Sequence, residues 1–297
     1  MIERRVELRG PLELAATLRP LVHGGGDRTI RLSTNEAWLA FRTDAGPATL
    51  RLRHVESTLL SASAWGPGAE LAVGGAGTLV GEEDRPEVFT AHHPILRHLQ
   101  RTHPGLRLPG SGRVFAALVP SVLEQKVTGT EAFRSYAFLL RRYGEAAPGP
   151  GGLLLPPDPA VLAALPYHAF HPLGVERRRA DVLRMAAARA AWLDASSSSS
   201  EATQRLRSLA GIGAWTAAKV VRGAFGDPDA VSVGDFHIPN TVAWALAREL
   251  RADDARMLEL LEPYRGQRGR VQRLLEVGGI VAPRRGPRMA PRGIAAI

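Results

Sequence analysis

The residues most able to carry chemistry lie between positions 209 and 235. Gly211 and Gly213 flank Ile212 between two segments whose apolar residues recur at helical spacing. Glycine permits a tight reversal, and a backbone without Cβ atoms can approach a ligand closely. The amides that open the second helix would then form an anion site suited to a phosphodiester. We expect Ile212 to anchor this turn in the core.

An extended segment, Val231-Ser-Val-Gly-Asp235, follows the second of these helices and ends on an acid where another helix begins. An aspartate in this place is most often an N-cap, which satisfies backbone amides. The same position also holds a carboxylate rigidly. Such a carboxylate can stabilise a developing positive charge and can orient or deprotonate water. The structural and the chemical interpretation of Asp235 are therefore compatible.

The composition favours a polyanionic partner and excludes several kinds of chemistry. The 297 residues carry a net charge of +9, which favours nucleic acid, although a GC-rich genome also enriches arginine. The absence of cysteine excludes disulfides, thiolate zinc sites, cysteine nucleophiles and cysteine-held iron–sulfur clusters. Neither a signal peptide nor an apolar run long enough for a membrane is evident. We expect a cytoplasmic, nucleoid-associated protein without a membrane partner.

Two kinds of periodicity divide the chain. Alternation over residues 28–33, 37–42 and 48–53, after a short helix over 11–18, predicts a small α+β domain with an antiparallel sheet. A Pro/Gly loop at 144–159 interrupts the helical spacing that follows. The predicted helices there span 114–127, 133–143, 160–165, 176–193, 201–209, 215–225, 241–250 and 255–276.

Three further segments agree with the hairpin and the acid in their order along the chain. They are Pro104-Gly-Leu-Arg-Leu-Pro-Gly110, Val122-Leu-Glu-Gln-Lys-Val-Thr128 and Leu173-Gly-x4-Arg-Ala180. With them the sequence resembles the helix–hairpin–helix DNA glycosylase superfamily, and within it the AlkA-type branch of 3-methyladenine DNA glycosylase II. The resemblance covers the chain up to about residue 280.

The resemblance implies a mainly α fold, in which two helical subdomains enclose a DNA cleft behind the small α+β domain. The α+β domain would span 1–88. One subdomain would combine 89–112 with 231–282 and carry the catalytic acid, and the other would span 113–230 and carry the hairpin. We expect residues 283–297 to be a basic, disordered tail.

The resemblance also implies roles for single residues. Asp235 would be the catalytic acid. Walls of the base pocket would be Trp215 and Phe236, with Tyr167 and Lys219 as further candidates. Gln125 and Lys126 would lie in the loop that fills the gap left by the extruded nucleotide. DNA contacts are expected at Gly211, Ile212, Gly213, Thr216, Gln125, Lys126 and Thr128, and a monovalent cation on hairpin carbonyls near Leu209 and Ile212.

The activity implied is base-excision repair: hydrolysis of the N-glycosidic bond of a damaged base, here an alkylated purine, flipped out of double-stranded DNA. We expect a monomer without a cofactor. Bifunctional members carry a lysine two residues after the second glycine. That position here is Trp215, which predicts a monofunctional enzyme.

Three alternatives remain open at the level of sequence. Lys219 is one of two lysines in the chain, with Lys126. It either contacts phosphate or solvent, or it enters the pocket and gives a glycosylase/lyase for oxidised or deaminated bases. A helix–hairpin–helix protein can also bind DNA without catalysis. His168 and His171, beside Tyr167, would line the pocket, contact DNA or pack, without a third partner for a metal.

Overall fold

A five-stranded antiparallel sheet opens the chain in the computed structural model, which describes residues 1–283. Its strand order is β1-β5-β4-β3-β2. The predicted tail 283–297 lies outside the described residues, apart from Pro283. The three predicted strands are β2, β3 and β4, and two more strands complete the sheet. The strands are β1 (Ile2–Glu7), β2 (Ile30–Leu32), β3 (Glu36–Thr43), β4 (Gly46–Glu56) and β5 (Leu59–Trp65).

The two faces of this sheet are covered by different parts of the chain. Leu39, Leu50 and Ala64 lie in register across β3, β4 and β5 and are 0–5% exposed. They belong to a core completed by three short helices, α1 (Leu14–Leu18), α2 (Ala69–Gly74) and α3 (Ala76–Leu79). On the other face the rings of Trp38 and Trp65 stack at 5.4 Å.

The predicted Pro/Gly loop covers this second face. It contains a minimal hairpin of β6 (Glu145–Ala146) and β7 (Leu154–Leu155). Leu153 and Leu155 pack with Trp38 in a small apolar cluster. The loop therefore has a structural role, because it seals the sheet and joins it to the helices.

The remainder of the described chain is helical. Its helices are α4 (Pro94–Thr102), α5 (Val114–Leu123), α6 (Gly129–Tyr143), α7 (Pro159–Ala164), α8 (Tyr167–Phe170), α9 (Arg177–Ala187), α10 (Ala190–Asp194), α11 (Ser199–Arg207), α12 (Ala214–Phe225), α13 (Ile238–Ala247), α14 (Asp254–Leu261) and α15 (Arg268–Val277). None of the helices within residues 1–283 combines the length and the apolar character that crossing a membrane would require.

Two of the predicted helices are wrong in their continuity. The helix predicted over 176–193 bends after Ala188, so that α10 packs on α5 and α11. The helix predicted over 255–276 is interrupted by a 3-10 turn at Glu262–Tyr264 and by Gly266 with φ +85°. Pro263 lacks an amide donor and Gly266 takes a left-handed conformation, which together end the first helix.

The helical region contains two apolar cores. One is built from residues between 114 and 224, with α5 packed against α6, α9 and α12. The other combines residues 89–106 with 231–275. These cores follow the predicted division of the helical region, whose domain boundaries stay a prediction. A buried ion pair between Asp84 and Arg270 ties the end of the N-terminal region to α15.

Candidate active site

The hairpin between α11 and α12 has the geometry that its glycines predicted. Gly211 has φ +85°, and the Ile212 amide donates to the Leu209 carbonyl at 3.1 Å. The Ile212 side chain is 5% exposed, which confirms its anchoring role. Gly213 occupies the N-cap position of α12, where no side chain caps the helix. The first-turn amides are therefore without a side-chain acceptor at a positive helix end, as an anion site requires.

The loop between α5 and α6 braces this hairpin. The Gln125 side-chain amide donates to the Gly211 carbonyl (3.1 Å) and to the Thr216 hydroxyl (2.9 Å). Lys126 follows with φ +55° and an exposed side chain. Left-handed backbone is costly for a residue with a Cβ, so the surrounding loop must impose it. Of the two predicted gap-filling residues, Lys126 is the one that stands exposed at the loop.

Thr128, a predicted DNA contact, caps helix α6. Its hydroxyl accepts from the Glu131 amide at 3.3 Å, while its own amide donates to the Glu131 carboxylate at 2.9 Å. This reciprocal pair is a capping box. The structure thus gives Thr128 a structural task, and its contact with DNA stays a prediction.

The carboxylate of Asp235 is held by three donors. Oδ1 accepts from the backbone amides of His237 (2.8 Å) and Ile238 (3.0 Å), which open α13. Oδ2 accepts from Trp215 Nε1 at 2.8 Å. The acid therefore accepts from two amides at the start of its own helix, whose N-cap residue is His237, and binds a residue in the first turn of the hairpin helix. The structural interpretation of Asp235 therefore applies, and its chemical role stays a prediction.

A turn at Gly234 places the acid against the indole. Gly234 has φ +89°, and a Cβ built on it would lie 3.8 Å from Trp215 Cβ. Its amide donates to both carboxylate oxygens of Asp254, at 2.9 and 3.0 Å. Asp254, in the first turn of α14, fixes the turn and was not predicted, because its partner lies 20 residues away in the chain.

Lys219 lies inside the site rather than in solvent. Its ammonium pairs with Glu124 at the end of α5 and stands 4.9 Å from the centroid of the Trp215 ring. The Lys219 and Glu124 side chains are 28% and 17% exposed. The sequence around Glu124 gives no signal for this role, because its partner lies 95 residues away in the chain.

The N-terminal region contributes one group to this cluster. His23 Nδ1 lies 3.9 Å from Glu124 Oε1, and the imidazole meets the Tyr136 ring edge-on at 5.3 Å. Burial, with the charge of Lys219 as the second cause, lowers the pKa of His23 to about 3. Burial likewise raises the pKa of Tyr136. His23 is therefore neutral at physiological pH.

Two predicted pocket aromatics lie apart from these contacts. Phe236 is 83% exposed and meets the His237 ring at 4.9 Å. Tyr167 packs against the hairpin-bearing core, with the His171 ring at 6.2 Å and Arg177 over its face at 5.7 Å. Their place in a base pocket stays a prediction, while Trp215, Lys219 and Asp235 are brought together.

The hairpin carbonyls are compatible with the predicted monovalent cation. The Leu209 carbonyl accepts one hydrogen bond in the turn, and a carbonyl oxygen has a second lone pair to offer. Within residues 1–283, no three side chains of the His, Asp or Glu type cluster closely enough to hold a metal ion. The cation site stays a prediction.

Solved structures with this arrangement of elements are known, although no protein family and no curated protein matches the sequence. A 3-methyladenine DNA glycosylase from Archaeoglobus fulgidus superposes with a TM-score of 0.78 at 17% identity, over 92% of this chain and 97% of that one. The chain has the fold of the helix–hairpin–helix DNA glycosylases. The resemblance predicted from sequence is thereby confirmed at the level of fold.

Two other solved structures share the fold. The 8-oxoguanine glycosylase/lyase of Clostridium acetobutylicum matches with a TM-score of 0.69 at 12% identity, over 93% of this chain and 96% of that one. The 3-methyladenine DNA glycosylase of Schizosaccharomyces pombe, in complex with abasic DNA, matches with a TM-score of 0.52 at 16% identity. It covers 66% of this chain and 96% of its own. The glycosylase fold is thus shared with proteins that are named for different lesions.

The two hairpin glycines offer a matched pair of substitutions. A Cβ on Gly211 would lie 2.5 Å from Val182 Cγ2 at a positive φ, whereas a Cβ on Gly213 would meet nothing within 4 Å. We predict that Gly211→Ala lowers the free energy of unfolding by about 1–3 kcal/mol. Gly213→Ala should leave it within about 1 kcal/mol and weaken binding to duplex DNA, because the new methyl group would stand in the open space where we expect the phosphate.

Urea unfolding and fluorescence anisotropy with a labelled duplex measure the two effects. Unchanged DNA affinity in a folded Gly213→Ala protein would contradict a phosphate contact at this helix end.

The neutral His23 predicts a pH dependence of stability. Unfolded His23 gains a proton near its ordinary pKa of 6.5, and folded His23 only near 3. The unfolded state thus binds more protons between these values, so stability falls as pH falls, by at most about 1.4 kcal/mol per unit. We expect His23→Gln to remove this share, which urea titrations at pH 7, 6, 5 and 4 would measure.

Burial raises the pKa of Asp27, so this residue makes the fold more stable as pH falls, in the opposite sense to His23. Wild type and His23→Gln both retain Asp27, so its contribution cancels when the two are compared. His168→Gln, at an exposed histidine, is the control. Parallel pH profiles of stability for wild type and His23→Gln would show that His23 takes up its proton at the same pH in the folded and the unfolded state, and would contradict the lowered pKa.

Proposed function

We propose that this protein is a monofunctional DNA glycosylase that hydrolyses the N-glycosidic bond of an alkylated purine flipped out of double-stranded DNA. The observation that carries the proposal is the Asp235 carboxylate, bonded to Trp215 at the start of the hairpin helix. A backbone grip and an oriented acid are thereby joined by one hydrogen bond. In a protein that only binds DNA, this acid would serve only to hold Trp215 and the start of α13, and its replacement by asparagine would leave the function unchanged.

The hairpin supplies the grip. The uncapped amides at the start of α12 would bind a phosphate, and the Lys126 loop beside them would enter the duplex where the target nucleotide has left. Extruding a base costs a few kcal/mol of stacking and pairing. Contacts with the backbone on both sides of the lesion would compensate this cost, and the net positive charge would assist them.

The acid supplies the chemistry. As the bond from C1′ to the base breaks, the base departs with the electron pair and the sugar acquires oxocarbenium character. The oriented Asp235 carboxylate stabilises that charge and accepts a proton from the water that attacks C1′. The products are the free base and an abasic site.

The surroundings of Asp235 support an alkylated purine as the substrate. Such a base is already cationic, which makes it a good leaving group and a favourable partner for an aromatic face and a nearby carboxylate. The Trp215 ring offers the aromatic face, and its indole N–H holds the Asp235 carboxylate beside it. Two of the solved proteins that share this fold are named as 3-methyladenine DNA glycosylases.

The residues at the two positions where a lyase amine could stand support hydrolysis without strand cleavage. The position of a lyase lysine is occupied by Trp215, and Lys219 is engaged with Glu124. A second candidate is a glycosylase/lyase, the activity for which the Clostridium protein is named, because Lys219 does lie beside Trp215. In that case its amine would form an imine with the sugar carbon, which borohydride reduces.

Replacement of the acid tests the proposal. Asp235→Asn keeps the shape of the side chain and removes its charge. We expect single-turnover release of 3-methyladenine or 7-methylguanine from a duplex to fall at least about a hundredfold. Affinity for the duplex should be retained, because Asp235 does not supply the grip. Borohydride should trap no adduct with the wild-type protein.

Asp181→Asn is the matched control, since Asp181 is a surface acid on α9 that pairs with arginines. Release at the wild-type rate by Asp235→Asn would exclude this acid from catalysis. A wild-type protein that binds the duplex but releases no base from a panel of methylated, deaminated and oxidised lesions would be a binding protein. A trapped adduct that disappears in Lys219→Gln would establish the lyase instead.

A further inference from the structure

The Glu124–Lys219 ion pair is a feature of the site that the proposed hydrolysis does not itself use. Both side chains are mostly buried, and Lys219 contacts the ring that also holds Asp235. Charges in such surroundings interact more strongly than charges on an open surface. The pair therefore influences any charged group that stacks near Trp215.

Among residues 1–283, the charged group that pairs with Glu124 is the ammonium of Lys219. His23 also faces Glu124, at 3.9 Å, but burial and the charge of Lys219 lower the pKa of His23 to about 3. The imidazole is therefore neutral at pH 7.5, so the ammonium of Lys219 balances the charge of Glu124 without a contribution from His23.

We propose that Glu124 is a specificity-determining residue that cancels the charge of Lys219, so that Asp235 remains the uncompensated charge beside Trp215. This inference rests on the proposed glycosylase function. Without Glu124, the ammonium would oppose both a cationic base on the indole and the positive charge that develops on the sugar. With it, the site carries a net negative charge and favours cationic over neutral lesions.

The two members of the pair should therefore affect specificity in opposite directions. Glu124→Gln leaves an unopposed cation, which disfavours a cationic base more than a neutral one. Lys219→Gln leaves a second carboxylate, which favours the cationic base further. A pair that served only to hold α5 against α12 would give losses of the same sign in both variants, because either change breaks the same contact.

Single-turnover rates on two duplexes measure this effect, one with 7-methylguanine as the cationic lesion and one with hypoxanthine as the neutral lesion. At pH 7.5 we expect Glu124→Gln to lower the ratio of the two rates by about tenfold, a modest share of what a unit charge can exert across a partly buried site. Lys219→Gln should raise the ratio by a similar factor. The double variant should return it to near the wild-type value.

Glu262→Gln, which removes an exposed charge paired with Arg265, controls for the change in total charge. Shifts of the ratio in the same direction in both single variants, or a ratio that none of them changes, would overturn the inference while leaving the glycosylase function intact. Release of neither base by wild type would instead refute the proposed function, and the inference with it. Circular dichroism and urea unfolding establish that each variant is folded at the assay temperature.

Discussion

The hydrogen bond from Trp215 to Asp235 is the interaction on which the arrangement of the site depends. It joins the helix that follows the hairpin to the helix that follows the acid, and these helices belong to different apolar cores. Two backbone amides complete the hold on the same carboxylate. A group fixed by three donors needs little reorganisation when charge develops beside it, which is the condition for electrostatic catalysis.

Contacts outside this hydrogen bond hold the acid and the hairpin in place. Gly234 and Asp254 shape the turn that presents the acid, and Gln125 braces the hairpin from the end of α5.

The buried pair of Asp84 and Arg270 fixes the N-terminal region to α15. From that region His23 reaches the Glu124–Lys219 pair, so the small sheet domain supports the site as well as preceding it. The positions of the charged groups around Trp215 thus depend on the two helical cores and on the core of the sheet domain.

The hairpin and its acid were predictable because their signals are local. Two glycines around a buried residue predict a turn, and an acid at a helix start predicts bonds to its first amides, within a few positions of the chain. Glu124, His23 and Asp254 were missed, since each acts through a partner brought close only by tertiary folding. Strands β2 to β4 alternate clearly, whereas β5 alternates serine with alanine and gives a weak signal. Helix 255–276 was predicted as continuous because its apolar spacing outweighed Pro263 and Gly266.

Replacing Trp215 by phenylalanine tests the central claim most directly, because it keeps an aromatic face and removes the indole N–H. The measurement is the single-turnover rate of base release from a duplex with one 7-methylguanine, at enzyme concentrations that saturate binding. A hydrogen bond to a charged group contributes about 1.5–3 kcal/mol, so we expect the rate to fall roughly ten- to a hundredfold with little change in DNA affinity. A wild-type rate in this variant would contradict the account.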